Sequence, residues 1–311
     1  MTASTEFEGR YHELFRSGEL KDRVAEARRH LQGCDLCANR CRVNRLETIA
    51  GAVCRTGERA VVSSYGPHHG EEDPLRGRAG SGTIFFSWCN LRCVFCQNWE
   101  ISHKGTGRES SPGEIAEMMI ELQDAGCHNI NLVSPSHVVA QLLEALLVAS
   151  GKGLRLPLVY NTGGYDSAES LALLDGIVDI YMPDMKYADS RMARKYSAAQ
   201  NYVEVNRAAV KEMHRQVGDL VLDSRGVALR GLLVRHLVLP GDLANSDAVL
   251  SFLATEISLD TYVNIMSQYY PCYRADEHPP LDRRLRPDEY AAAIVIARKL
   301  GLHRLDGMRL R

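Results

Sequence analysis

The chain has 311 residues, 45% of them hydrophobic, with a formal net charge of −2. That is ample for a conventional buried core, whether in one large domain or two ordinary ones, and the mixed charge offers no broad basic field for nucleic-acid phosphates. The start has no basic stretch followed by an apolar one, and the longest aliphatic run, Ala291 to Ala297, is far too short to span a membrane, so a cytoplasmic protein is expected.

Up to about residue 80 the chain reads as a loop-rich extension with one helix, Glu19 to Leu31, followed by Cys34-x2-Cys37-x3-Cys41-x12-Cys54. Nine cysteines in a chain without an export signal point to metal or redox chemistry rather than disulfides. Four thiolates form a closed ligand set for either zinc or a complete iron–sulfur cluster, with Gly51 and Gly57 permitting tight turns. Zinc would help fold this core-poor segment, whereas a cluster would relay electrons or bind substrate; the spacing leaves both open. A Gly/Pro/His loop follows, and His68 and His69 within it read as surface histidines that sit just upstream of the next motif.

From residue 81 to 311, β-rich runs alternate with amphipathic helical stretches. The predicted strands are 82–87, 129–134, 156–161, 178–182, 232–239 and 261–267. Helices are predicted over 112–126, 136–149, 167–174, 204–216, 246–256 and 287–300; the first carries Ser111 as N-cap, Pro112 and a capping-box Glu114. Six strands joined by helical crossovers predict an α/β fold with a parallel sheet, and six units rather than eight predict a partial (β/α)6 TIM-like barrel.

Two residues past the first predicted strand stands Cys89-x3-Cys93-x2-Cys96, at the end of the barrel where active residues gather. Three thiolates hold three irons of a four-iron cluster and leave the fourth open to a small ligand; a closed zinc site would need a recruited fourth donor.

The triad, with Phe95 just before its last cysteine, resembles the radical S-adenosylmethionine (SAM) superfamily. The runs GSGTIFFSWCNLRCVFCQN, INLVSPSH, VYNTGGYDS, VDIYMPDMKYAD and VRHLVLPG are similar to the branch around pyruvate formate-lyase activating enzyme, over residues 30 to 300. The resemblance implies a [4Fe-4S] cluster on Cys89, Cys93 and Cys96, SAM on its open iron, and reductive cleavage to a 5′-deoxyadenosyl radical that abstracts hydrogen. It further implies a small reductant protein of the flavodoxin or ferredoxin type and, for an activase, a glycyl-radical protein as substrate. Radical modification of a small molecule or peptide is the alternative; from another class, a non-catalytic electron-transfer or metal-binding protein would need no six-unit barrel.

By the same resemblance, SAM contacts fall on Ser134, Ser136 and His137, where relatives carry Gly-Gly-Glu, and on Asn161, Thr162 and Gly163. They continue through Asp184 and Lys186 of an Asp-x-Lys pair, Arg235 and Gln268. Trp88 is a departure, since relatives have a small residue before the first cysteine. Of the two isolated cysteines, Cys127 reads as a buried inert thiol, and Cys272, after the last strand, as a candidate facing the substrate. Arg283, Arg284, Arg286, Arg298, Lys299, Arg304, Arg309 and Arg311 make the C-terminus basic, which reads as a solvated face.

Overall fold

A computed structural model describes residues 7–307, so Arg309 and Arg311 lie outside the described residues. Among the described residues, nine strands form the sheet: β1 (Ala60–His68), β2 (Ser81–Phe86), β3 (Arg108–Ser110), β4 (Ile130–Val133), β5 (Leu158–Thr162), β6 (Ile180–Pro183), β7 (Val221–Leu222), β8 (Ala228–Leu237) and β9 (Tyr262–Met266). β2, β4, β5, β6, β8 and β9 are the six predicted strands, and they pair in that order, all parallel. This is the partial (β/α)6 arrangement, because each parallel step needs a crossover, here helical, over the outer face. The β4–β5–β6 segments are almost entirely buried, as expected of strands covered on both sides.

The helix Pro112–Asp124 forms as the sequence predicts. Ser111 Oγ accepts from Glu114 N, and the Glu114 carboxylate accepts from Ser111 N at 2.7 Å, satisfying two otherwise orphaned donors. Elsewhere the boundaries move. Pro135–His137 make a separate 3-10 turn before the helix Val139–Gly151, and the helix from Ser246 passes into a π-helical turn at Leu253–Ile257.

The N-terminal segment is joined to the barrel. β1 pairs antiparallel with β2 from Val62↔Phe86 to His68↔Ser81, so residue 80 falls inside a hairpin connection. Glu19–His30 packs on Val139–Gly151, and Leu20, Ala27 and Leu31 enter the same core as Leu143 and Leu146. Leu31, Leu20 and Tyr11 are fully buried, so this segment has more core than its composition suggests.

β9 pairs with β8 at the end of the parallel order, leaving the barrel as an open curl. The seam between β9 and β2 is spanned by the segment after β1: Asn264 Nδ2 on β9 donates to Glu72 Oε1 at 2.9 Å. Among the described residues, no helix is long and apolar enough to cross a membrane.

Candidate functional site

The three triad cysteines sit on the loop that leaves the C-terminal end of β2. The chain turns through Trp88 with φ 67°, and Trp88 N donates to Ile101 O, anchoring the loop. The indole explains its own departure. It lies where a Cβ on Gly105 would come within 2.2 Å, with the Arg55 guanidinium 5.4 Å from its ring, so it props the loop from outside.

Cys93 is buried, with Cys89 and Cys96 partly so, and they share a packed cluster with Leu91, Phe95, Tyr187 and Tyr269. Burial pushes the Cys89 thiol up to about 12 and the Cys93 thiol up to about 11, and each is raised further by its triad neighbours. Opposing this, Lys186 acts on all three sulfurs. Ser197 Oγ lies 3.0 Å from Cys93 Sγ and Ser102 Oγ 3.1 Å from Cys96 Sγ, while Leu91 N donates to Cys89 Sγ at 3.4 Å. A cation and three hydrogen-bonding groups around three sulfurs suit thiolates carrying a cluster. The donor set therefore fits a [4Fe-4S] group on Cys89, Cys93 and Cys96. Among the described residues, no three His, Cys, Asp or Glu side chains are grouped as a single metal ion would need.

Lys186 is tied to the opposite side of the barrel. Its Nζ donates to Asp184 Oδ2 at 2.5 Å, and Arg235 Nε donates to Asp184 Oδ1 at 2.9 Å. Burial pushes the Asp184 carboxyl up, but Arg235 and Lys186 together outweigh it and hold the group below its usual range. Asp184, Lys186 and Arg235 thus form one buried ion triad with an excess positive charge, and Lys186 turns that excess toward the cysteines.

Asn161 and Gln268 line a cavity of about 320 Å³ inside the curl, together with Arg235, His68, Asn98 and the Glu71–Glu72 pair. Gln97 Nε2 donates to Gln268 O at 3.1 Å, which ties the end of the cysteine loop to the end of β9. The cavity thus meets the cysteine loop at Asn98, two residues past Cys96.

The remaining sequence-predicted residues have other partners. Ser136 Oγ meets Thr162 Oγ1 at 2.8 Å, and Thr162 donates to Asp166 Oδ2 at 2.6 Å, with Tyr160 on the other carboxylate oxygen. His137, fully buried and pushed down to about 3 chiefly by burial, donates from Nε2 to Ser87 O at 3.0 Å and so supports the base of the cysteine loop. Ser134 is half-buried with φ 58° at the end of β4. A Cβ on Gly163 would stand 2.9 Å from Leu91 Cδ1, so the space left by the missing side chain is taken by the cysteine loop itself.

The four N-terminal cysteines lie in one another's field but are not grouped as a single metal ion would need. Cys34, Cys37 and Cys54 are buried, Cys41 is half-buried, and burial followed by the field of Cys54, Cys34 and Cys41 raises the Cys37 thiol. Arg45, itself buried, bonds Thr56 O, Gly57 O and His137 O and reaches Cys34 Sγ at 3.5 Å. The two cysteine groups are neighbours. Asn39 Nδ2 donates to Asn90 O at 2.7 Å, and Arg92 reaches Val53 O while lying in the field of both Cys89 and Cys54.

Sequence reasoning did not find Glu71 and Glu72 as cavity groups; the paired acids lie in a Gly/Pro/His stretch that reads as a loop. Cys272 acts on Cys96, which puts it beside the triad, whereas Cys127 is buried behind β2.

Residues 83–227 match the radical SAM superfamily. An uncharacterized protein of Methanocaldococcus jannaschii is 32% identical over 288 residues, 90% of this chain and 78% of that protein. A second from the same organism is 26% identical over 202 residues, 62% of this chain and 54% of its own length. Among solved structures, methylornithine synthase aligns with a TM-score of 0.46 at 17% identity, covering 92% of this chain and 77% of that one. The matched region opens on β2 and takes in the cysteine loop with the strand ends that face it: the chain belongs to the radical SAM superfamily.

Proposed function

We propose that this protein cleaves SAM reductively at a [4Fe-4S] cluster on Cys89, Cys93 and Cys96 and uses the resulting radical to take hydrogen from a substrate in the barrel. When bound, the cluster and SAM supply the electron and the 5′-deoxyadenosyl group; orientation and shielding are left to the protein. The observation that carries the reading is the gathering of Cys89, Cys93 and Cys96 in one packed cluster at the end of β2, with Ser197 Oγ, Ser102 Oγ and Leu91 N on their sulfurs. The Lys186 cation, held by Asp184, favours the thiolates of this water-poor site through its field. Arg235 and Asn161 border the barrel cavity, and their side chains suit polar groups of SAM at its mouth beside the substrate.

Two substrates follow from the resemblance: a glycine on a partner protein, or a small molecule. The polar cavity inside the curl, bordered by buried Glu72 and Asn161, favours the small molecule. For the second cysteine group we propose an auxiliary iron–sulfur cluster, because Arg92 and Asn39 couple it directly to the triad loop. A flavodoxin- or ferredoxin-type reductant would supply the electron.

The test is to reconstitute the protein anaerobically, reduce it with SAM present and measure 5′-deoxyadenosine. Production of 5′-deoxyadenosine that needs Cys93 supports the reading, and its absence from iron-loaded protein overturns it. Iron and sulfide analysis checks the second site: about eight irons per chain fit two four-iron clusters, whereas about four with one zinc removes the auxiliary cluster.

A further inference from the structure

The cavity inside the curl holds more acid than its cations neutralise. Glu71, Glu72 and Asp306 border it beside Arg235, the cation of the lining, and Asp184 already takes the Arg235 Nε and the Lys186 ammonium. Asp306 is occupied by Tyr262, whose hydroxyl donates to Oδ1 at 2.7 Å. Glu72 is only half satisfied. Its Oε1 accepts from Asn264, but Oε2 has no partner although the residue is 95% buried, being 5% exposed.

A second side chain is left in the same condition. Asn131 on β4 is fully buried, and neither its oxygen nor its nitrogen has a hydrogen-bond partner. It shares the inward face of β4 with Val133, which lines the cavity, because alternate strand residues point the same way. Its amide lies beside the Glu71 carboxyl and acts to lower it, while Glu72 acts to raise it. Buried polar groups are nearly always paired, so an unmatched acceptor on the cavity wall, with an under-bonded amide behind Glu71, describes the ligand that would pair it. An unpaired carboxylate oxygen needs a donor, and the surplus negative charge makes that donor a cation.

We infer that the barrel cavity binds a small substrate through a protonated primary amine, seated between Glu71 and Glu72 with Asn131 completing its hydrogen bonds. This names the substrate class of the site proposed above and rests on the reading of that cavity as the substrate site. Burial beside Glu72 raises Glu71, which is what two acids sharing too little positive charge would do, and an arriving ammonium would reverse it.

Calorimetric titration of the reconstituted protein with 1,4-diaminobutane, against 1-butanol and butyrate as controls of similar length, tests the inference. Binding of the diamine alone is expected, weakened at least tenfold in Glu72→Gln and in Asn131→Leu, with melting curves establishing that each variant is folded. Equal binding of diamine and butanol, undiminished diamine binding in both folded variants, or weakened binding of SAM alone in Glu72→Gln overturns it. The two readings fail separately: unmodified protein that yields 5′-deoxyadenosine but binds no amine ends this inference only. Protein that binds amine but cleaves no SAM ends the radical reading only.

Discussion

The two cysteine groups lie side by side and are built on opposite plans. The N-terminal four are closed in: three are buried, Arg45 fills its bonds with surrounding carbonyls, and the segment packs into the main core. The triad has one thiol fewer and a cation aimed at it, and its loop borders a cavity through Asn98. Four thiols with a satisfied surround suit a closed site, while three beside a polar space suit one that leaves a position open to a ligand. The difference teaches that reactivity here comes from what is left unpaired.

The largest effect should come from breaking the open site. Cys93→Ala removes the deepest triad thiol, and 5′-deoxyadenosine formation should fall to background while any metal bound by the N-terminal group is retained. Iron analysis with circular dichroism checks this. Loss of all metal would mean the two groups load as one unit. Cys37→Ser attacks the closed site and should act on the fold first. A chemical denaturation curve should show a loss above about 4 kcal/mol, the range where removal of a metal site falls. Residual SAM cleavage per folded molecule should persist, and its complete loss would make the auxiliary site obligatory for electron delivery.

A third change separates charge from ligation. Asp184→Asn keeps the shape but strands Arg235 and Lys186, two buried cations, each about one-fifth exposed at the side chain. Breaking a buried pair costs about 3 kcal/mol or more. Because Lys186 would no longer be held toward the sulfurs, SAM cleavage should also drop by about 100-fold, the scale of a misplaced positioning group. Unchanged turnover with lowered stability would reduce the ion triad to a structural role.

How much of this was legible in the chain depends on how local each signal is. The six parallel strands are dense in β-branched and aromatic residues, and their order follows from consecutive right-handed crossovers, so sequence sufficed. The triad was legible because its ligands lie within eight residues. β1 was not, since Gly66 and Pro67 read as a loop. In the fold β3 pairs with β1 only up to Val62, so beyond it β1 has a free edge, where proline is tolerated. Lys186 was placed by the resemblance, but its pairing with Asp184, and through Asp184 with Arg235 on β8, is a tertiary fact. Glu71 and Glu72 were missed for the same reason: a Gly- and Pro-flanked acidic pair looks solvated until the open seam of the barrel takes it in.

The smallest expected effect sharpens the contrast most. Glu71 is pushed up to about 7, first by burial and then by Glu72. An acid whose folded value lies above its unfolded one binds extra protons in the folded state, so its favourable contribution is complete below about pH 4.5 and lost as pH rises through about 7. Glu71→Gln never makes that transition. The variant should match the parent near pH 4 and exceed its stability by about 2 kcal/mol at pH 8, a figure reduced from the full shift because the side chain is partly exposed. Asp179, also raised to about 7, titrates in both proteins and cancels in the difference. Denaturant midpoints at the two pH values provide the measurement. A stability gain at pH 8 that 1,4-diaminobutane erases would show the open site holding uncompensated charge for a ligand. No gain would mean the protein already neutralises Glu71, and the contrast between the two cysteine groups would then rest on ligand number alone.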